Sequence, residues 1–126
     1  MVTGLDHIHV ICGDVEKAVK YFKDVFEAKE TSRGEIRGFP VVRVNVKGAI
    51  VALMGTAPGS SELVPGKGSR GLDHIGFTVK DLEKTVEDMK KQGAKFSVGI
   101  TAGAAGVKYA FVDGPDGIRI ELIERS

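Results

Sequence analysis

The hydrophobic residues in the first half of the chain change between the spacing of strands and the spacing of a helix. From Val15 to Phe26 they recur every three or four residues, and Asp14 before them is a residue type that caps helices, so this segment is predicted to be a helix. The apolar segments around it have the length and the Ile and Val content of strands. The predicted strands cover residues 5–11, 28–33, 41–46 and 49–54, with a turn near Glu35 and a tight turn at Lys47 and Gly48.

The second half of the chain has the same order of patterns. A helix is predicted after Asp81, ending at Gly93, because apolar residues again follow a capping aspartate and a glycine closes the segment. The predicted strands cover residues 72–79, 96–100, 107–112 and 118–123, with a loop of small residues from 101 to 106 and a turn from Asp113 to Gly117. Each half is therefore predicted to consist of one strand, one helix and three further strands.

The two halves also share residues. Gly4-Leu5-Asp6-His7-Ile8 recurs without change as Gly71-Leu72-Asp73-His74-Ile75, and five further identities follow in the same ungapped register. A repeat of this kind indicates a duplicated structural module. Module one is assigned to residues 1–55 and module two to residues 71–126, joined by a Pro-, Gly- and Ser-rich linker over residues 56–70. We expect the whole chain, 1–126, to form a single α+β domain.

Composition excludes several classes of function. Lys and Arg total 18 against 17 for Asp and Glu, without a basic block, so neither nucleic acid nor a membrane surface is an expected partner. No apolar run approaches the ~20 residues of a membrane span, and no signal-peptide pattern is present, which favours a cytoplasmic protein. The single Cys12 lies at the end of an apolar strand and is interpreted as a buried structural thiol.

The repeated histidines are the strongest indication of chemistry. His7 and His74 occupy equivalent places on equivalent strands, and Glu121 lies within the apolar run Ile118 to Ile123. Histidine and carboxylate are common metal ligands, and an unpaired buried carboxylate is costly, so these three residues are candidate ligands. The alternatives are that His7 is a core histidine hydrogen-bonded by the backbone, and that Arg119 and Glu121 line an exposed sheet edge. A core has little reason to repeat a polar residue at two matched sites, so we favour the metal site.

Four segments of the chain resemble the vicinal oxygen chelate superfamily, which includes glyoxalase I, methylmalonyl-CoA epimerase, extradiol dioxygenases, fosfomycin-resistance enzymes and bleomycin-binding proteins. The segments are Leu5 to Ile8, Asp14 to Ala18, Leu72 to Ile75 and Asp113 to Glu121. The resemblance implies two tandem βαβββ modules whose eight strands form an incomplete barrel around a divalent metal. It also implies ligands at His7, His74 and Glu121, with the metal being Fe, Mn, Zn, Ni or Co.

The chain departs from this family pattern at the fourth ligand position. Aligning the last strands of the two modules places Ala52 at the position that corresponds to Glu121. The resemblance implies Glu or Gln at this position of module one, as in glyoxalase I and the epimerase. Alanine leaves three protein ligands, and a glutamate introduced there is expected to be tolerated. The catalytic glutamate of the epimerase corresponds roughly to Arg43. Two histidines and one carboxylate are the metal ligands of many non-haem Fe(II) oxygenases. The resemblance implies the same three ligands in fosfomycin-resistance enzymes, where they bind Mn²⁺.

Three other residues are candidates for contact with a substrate. His9 is predicted on the same strand face as His7 and corresponds to Gly76 in module two, which makes it a candidate general acid or base, alternatively a packed strand-end histidine. Arg43 and Tyr109 are candidate substrate-binding residues, and a salt bridge at a strand edge is the alternative for Arg43.

The expected function is metal-dependent lyase or isomerase chemistry of the glyoxalase and epimerase type. The small-molecule substrate would carry neighbouring oxygens, the metal would act as a Lewis acid towards an enolate-like intermediate, and His9 or Glu121 would move the proton. The alternatives are an Fe(II) dioxygenase, a fosfomycin-resistance-like transferase and a metal-free small-molecule binder. A homodimer is expected, with His7 from one subunit and His74 and Glu121 from the other.

Overall fold

The computed structural model describes residues 1, 3–61, 70 and 72–126. They group into two compact units, Met1–Ser61 and Glu62–Ser126, and each unit contains one βαβββ module. Most of the predicted linker, residues 62–69, lies outside the described residues, as does Gly71 of the repeat. Among the described residues no helix is long and apolar enough to cross a membrane.

Module one forms a four-stranded mixed sheet with one helix. Its elements are β1 (Ile8–Cys12), α1 (Val15–Phe26), β2 (Lys29–Ile36), β3 (Phe39–Val46) and β4 (Ala49–Gly55). The strand order is β1-β4-β3-β2, in which β1 runs parallel to β4 and the other pairs are antiparallel.

Module two repeats this topology. Its elements are β5 (Ile75–Thr78), α2 (Leu82–Lys91), β6 (Phe96–Ala102), β7 (Lys108–Asp113) and β8 (Arg119–Glu124), with short 3₁₀ turns at Ala104–Gly106 and Pro115–Gly117. The strand order is β5-β8-β7-β6, and β5 runs parallel to β8. The α+β prediction with two tandem βαβββ modules is therefore confirmed.

Each helix begins at the aspartate that the sequence indicated. The side chains of Asp14 and Asp81 accept hydrogen bonds from the backbone N–H groups of Lys17 and Lys84, at 3.0 and 3.1 Å. These bonds satisfy N–H groups that the first turn of a helix leaves without a partner. The aspartates therefore fix where each helix starts after its first strand.

Each sheet has one face covered by its helix. In β8 the fully buried Ile120 and Leu122 alternate with half-buried Arg119, Glu121 and Ile123, and α2 packs against β7 and β8. Side chains alternate across a strand, so Glu121 lies on the face opposite the helix. By the equivalent register of module one, Val51 and Leu53 occupy the helix-covered positions, and Ala52 and Met54 lie on the other face.

The boundaries of four strands differ from the sequence prediction in ways that affect the site or the turns. Strands β1 and β5 begin at Ile8 and Ile75, so the two histidines lie immediately before the strands rather than inside them. Strand β2 runs through Glu35, and the turn falls at Arg37 and Gly38, which both have positive φ. Strand β6 extends to Ala102, into the predicted loop. Pairing with β3 and β7 extends β2 and β6 beyond what their composition indicates, whereas β1 and β5 begin only where their pairing with β4 and β8 begins.

Candidate metal site

His74 and Glu121 converge within module two because their strands are parallel neighbours. Gly76 of β5 pairs with Glu121 of β8, and His74 lies two residues before Gly76. The Nε2 atom of His74 is 3.6 Å from Oε1 of Glu121. Two predicted ligands from distant parts of the sequence therefore meet at one point.

Gly76 leaves space for the carboxylate of Glu121. A Cβ atom at position 76 would lie 3.4 Å from Oε1 of Glu121. Any side chain larger than alanine would therefore compete with that carboxylate. Gly76 is not among the glycines with positive φ, so its importance here is its lack of a side chain.

The hydrogen bond of His74 determines which ring nitrogen is available. Its Nδ1 atom is 2.8 Å from Oδ2 of Asp73. The hydrogen bond with His74 lowers the pKa of Asp73, and the charge of Arg119 contributes in the same direction. Because an ionised carboxylate only accepts, Nδ1 donates to Asp73, and Nε2 is the nitrogen that faces Glu121.

This arrangement fits a divalent cation. An imidazole nitrogen and a carboxylate oxygen, two types of atom that ligate divalent metals, lie 3.6 Å apart, which is too far for a hydrogen bond. Two ligands sharing a metal at about 2.1 Å are roughly 3.0–3.5 Å apart in octahedral or tetrahedral geometry. The observed separation is close to that range, and the donor types suit several first-row divalent ions.

Glu121 does not lie on an exposed edge. Strand β8 lies between β5 and β7, and the side chain of Glu121 is 21% exposed. Its cross-strand neighbour on β7 is Phe111, whose ring packs edge-on against the ring of His74 with centroids 5.1 Å apart. The alternative interpretation of Arg119 and Glu121 as an exposed edge is therefore wrong.

His7 repeats part of this arrangement in module one. Its Nδ1 atom is 2.7 Å from Oδ2 of Asp6, and its side chain is 40% exposed. A core histidine bonded only by the backbone is therefore excluded. The ring of His9 lies 6.1 Å from that of His7, centroid to centroid, and Nε2 of His9 is 3.2 Å from Sδ of Met54.

The register of module one shows which residues surround Ala52, the position at which the family resemblance implies a fourth ligand. His9 pairs with Ala52 at the position where Gly76 pairs with Glu121 in module two. Module two thus combines a glycine with a large acid, and module one combines a histidine with a small alanine. Ala52 is completely buried, and Arg43 pairs with it from β3.

The two predicted substrate-binding residues lie on the sheet faces that their own helices do not cover. Arg43 is half-buried and flanks Ala52 on the side opposite His9. It lies in an interior strand, so a salt bridge at a sheet edge is not its setting. Tyr109 is half-buried two residues before Phe111 on β7, and the two rings are 6.0 Å apart.

A second group of acidic residues lies at the start of α2. Oxygen atoms of Asp81, Glu83 and Glu124 come within 4.8 Å of one another. Each carboxylate already has a structural contact: Asp81 caps the helix, Glu124 accepts from the backbone N–H of Leu82 at 2.8 Å, and Nζ of Lys108 is 2.9 Å from Glu83. We assign this group to helix capping.

Sequence analysis overlooked three residues that surround His74 and Glu121. They are Asp73, Phe111 and Arg119. The repeated Asp-His pair was a usable signal for Asp73, because metal-ligating histidines often donate their second N–H to a carboxylate. Phe111 and Arg119 are distant in sequence, and only the pairing of β7 with β8 brings them to the site.

The comparisons with known proteins agree with this architecture. A profile of the glyoxalase/bleomycin resistance protein/dioxygenase superfamily matches residues 4–122. The chain is 27% identical to the uncharacterised protein YwkD of Bacillus subtilis over 127 residues, covering 99% of both chains. It is 46% identical to glyoxalase I of Saccharomyces cerevisiae over 57 residues, which cover 45% of this chain and 17% of the yeast protein.

A similar solved structure is that of a point mutant of the fosfomycin resistance protein FosX from Listeria monocytogenes. That protein was crystallised with Mn(II) and 1S,2S-dihydroxypropylphosphonic acid. The TM-score is 0.77 at 20% identity, with 100% of this chain and 93% of that chain covered. The profile match extends over nearly the whole sequence, so the chain belongs to the glyoxalase/bleomycin resistance protein/dioxygenase superfamily.

Proposed function

We propose that this protein is a divalent-metal-dependent enzyme that acts on a small substrate with neighbouring oxygens. Its metal ligands would be His74 and Glu121 from module two and His7 from module one. The observation that carries the proposal is the 3.6 Å approach of His74 Nε2 to Glu121 Oε1, which is too long for a hydrogen bond. A divalent cation would bind both atoms, because imidazole nitrogen and carboxylate oxygen are ligand types that suit it.

The bound metal would supply Lewis-acid catalysis at the substrate oxygens. The protein's own side chains would orient the substrate and move the proton. His9 suits proton transfer because its side chain is exposed and its ring lies beside that of His7. Glu121 is the second candidate for proton transfer, since a carboxylate oxygen not used in ligation can accept a proton.

Arg43 and Tyr109 would bind the substrate. The guanidinium of Arg43 is half-buried and has no ion-pair partner among the described residues. An anionic group of the substrate would give it one, and a carboxylate or phosphonate can accept two of its N–H donors. The hydroxyl of Tyr109 would donate or accept a further hydrogen bond.

Within this class we favour lyase or isomerase chemistry of the glyoxalase and epimerase type. The identity to yeast glyoxalase I supports this choice, although it extends over 57 residues only. Removal of a proton from the carbon beside a carbonyl requires a base that can accept a proton at neutral pH. It also requires a centre that stabilises the negative charge that develops on the oxygen. His9 and the proposed ligand set would provide these two elements.

The test is elemental analysis of protein purified without chelators, followed by assays with added metals. We expect about one divalent ion per chain and activity that chelators abolish and metal restores. The proposal would be overturned if the purified protein contained no metal and bound none of the ions Mn²⁺, Ni²⁺, Zn²⁺, Co²⁺ and Fe²⁺. That result would favour a metal-free small-molecule binder instead.

A second candidate is supported by Ala52, which cannot act as a ligand. Two histidines and one carboxylate with open positions are the ligand set of non-haem Fe(II) oxygenases. The likeness to FosX, which was crystallised with Mn(II), supports a fosfomycin-resistance-like reaction as a further alternative. Oxygen consumption with Fe²⁺ would identify a dioxygenase, and consumption of fosfomycin with Mn²⁺ would identify the FosX-like alternative.

We further propose a homodimer with two equivalent sites. Each module presents a sheet face that its own helix does not cover, and burial of such a face usually requires a partner surface. Sedimentation equilibrium would measure the assembly state. A monomer at micromolar concentration would contradict this part of the proposal.

A further inference from the structure

Asp73 receives hydrogen bonds from two donors at the same oxygen atom. Nδ1 of His74 lies 2.8 Å from its Oδ2, and Nη1 of Arg119 lies 3.0 Å from the same atom. A carboxylate held by a guanidinium has little freedom to turn away. The orientation of the His74 ring therefore depends on Arg119 as well as on Asp73.

Arg119 is itself fixed by an aromatic ring. Its Cζ atom lies 4.2 Å from the centroid of Phe111, and this ring also contacts His74 edge-on. The contacts form a closed circuit of His74, Asp73, Arg119 and Phe111. Phe111 is 8% exposed, so the circuit rests on a nearly buried side chain.

Module one lacks this circuit. Asp6 contacts His7 in the same way, but the side chain of Asp6 is 96% exposed. The register places Ile50 at the position equivalent to Arg119, and Arg43 at the position equivalent to Phe111. Module one therefore has no guanidinium at the position of Arg119 and no aromatic ring at the position of Phe111.

We propose that Arg119 and Asp73 are positioning residues that preset His74 for the metal, so that module two is the preorganised half of the site. This inference rests on the proposed function. Hydrogen bonding from Nδ1 to a fixed carboxylate holds the ring with Nε2 towards Glu121 and favours the tautomer that has its proton on Nδ1. Preorganisation reduces the conformational entropy lost when a ligand binds, so module two would engage the metal first.

The test combines two readouts on the full-length protein. The first is the tautomer of His74 in metal-free protein, measured by ¹⁵N NMR at about pH 8, where imidazole is neutral. The second is the dissociation constant for Mn²⁺, measured by calorimetry. The variants are Asp73→Asn, Arg119→Gln, their combination, and Asp6→Asn as the matched control in module one.

We expect Asp73→Asn and Arg119→Gln each to weaken Mn²⁺ binding about tenfold and to increase the tautomer with the proton on Nε2. Since Arg119 acts through Asp73, the double variant should be no weaker than Asp73→Asn alone. Asp6→Asn should change Mn²⁺ affinity less than about threefold. Arg119→Lys keeps the charge but loses the planar contact with Phe111, so its affinity should be intermediate.

Unchanged affinity and tautomer in Arg119→Gln would overturn the positioning role. Equal losses in Asp6→Asn and Asp73→Asn would overturn the difference between the modules. If the unmodified protein binds no Mn²⁺ or other divalent ion, the proposed function fails. The tautomer measurement in metal-free protein then still decides whether Arg119 and Asp73 position His74.

Discussion

At the residue scale, the two repeated histidines have different surroundings. Both donate from Nδ1 to the preceding aspartate, at 2.7 Å in module one and 2.8 Å in module two. Only His74 has a carboxylate oxygen facing its other nitrogen within the described part of its own module, that of Glu121. Identical local sequence thus gives the same contact at Nδ1, and the neighbouring strand decides what lies beside Nε2.

Substitution of a ligand should reduce metal content. We expect His7→Ala, His74→Ala and Glu121→Ala each to lower bound metal at least about tenfold, because even changes in residues that only support ligands cost about 10–100-fold in affinity. Inductively coupled plasma mass spectrometry would measure this. Glu124→Ala is the matched control: it removes a carboxylate from the same strand that is bonded to the backbone of Leu82.

Full metal occupancy in His7→Ala would remove that residue from the ligand set. A loss in Glu124→Ala as large as in Glu121→Ala would point instead to the acidic group at the start of α2.

His9 should affect turnover without affecting metal content. As a general acid or base it would contribute about 10²–10⁴-fold to the rate, so His9→Ala should lose that factor and retain the metal. Met54→Leu is the control, because it removes the sulfur 3.2 Å from Nε2 while nearly conserving volume. Parallel loss of metal and activity in His9→Ala would make His9 a ligand, and an unchanged rate would make it a packing residue.

At the element scale, strand register limits what position 52 can hold. The sequence suggests that glutamate would be tolerated there, but Ala52 is completely buried and pairs with His9. We now expect Ala52→Glu to lower the free energy of unfolding of metal-free protein by about 1–3 kcal/mol, because the added atoms have no space. Urea unfolding would measure the change.

A compensating substitution follows from the arrangement in module two. Glycine lies beside Glu121 there, so His9→Gly should recover part of the stability lost in Ala52→Glu. Additive losses in the double variant would show that His9 does not limit the space at position 52.

The repeated glutamates Glu16 and Glu83 connect each helix to its sheet. Arg33 on β2 donates to both carboxylate oxygens of Glu16, at 2.7 and 2.9 Å, and also to Glu30 at 2.6 Å. Hydrogen bonding from Arg33 lowers the pKa of Glu16 and of Glu30 below 4.5. In module two, Lys108 on β7 replaces this contact and lowers the pKa of Glu83.

The stability conferred by Arg33 should depend on pH. A carboxylate whose pKa is lower in the folded protein stabilises it above the unfolded-state pKa, near 4.5, and this contribution disappears as pH falls through the folded-state pKa. Arg33→Gln should therefore be less stable than the unmodified protein at pH 7, and the difference should shrink as pH falls below 4.5 through the lowered pKa of Glu16. Urea unfolding across this range, in low and high salt, measures it.

Lys108→Gln is the matched variant in module two. It should also reduce stability at pH 7 and lose this effect as pH falls. The reduction should be smaller than for Arg33→Gln, because the contact to Glu83 is made by one ammonium rather than by a bidentate guanidinium. A stability difference for Arg33→Gln that stayed constant from pH 7 to about pH 3 would mean that packing of the arginine, rather than its charge, is responsible.

At the scale of the whole molecule, the proposed site needs ligands from both modules. If His7 comes from one subunit and His74 with Glu121 from the other, an inactive His7→Ala protein and an inactive Glu121→Ala protein should complement each other. After joint unfolding and refolding, the mixed dimer would contain one intact site. We expect metal binding and activity to recover to about a quarter of the unmodified level, since half of the dimers are mixed and each has one of two sites.

Differently tagged subunits allow the mixed dimer to be purified and its formation proved. Recovery in subunits that are mixed without unfolding would indicate rapid exchange. No recovery in a purified mixed dimer would mean that each site is built within one chain.

The sequence by itself determined the module order, both helix starts and the candidate ligands. These features have local signals: capping aspartates, apolar periodicity and an Asp-His pair written twice. Only tertiary structure decided that Glu121 is in an interior strand beside Gly76, that Ala52 is buried beside His9, and that Arg119 holds Asp73. Strand order and register join residues far apart in sequence, and such contacts depend on which strands pair rather than on the local propensity of either strand.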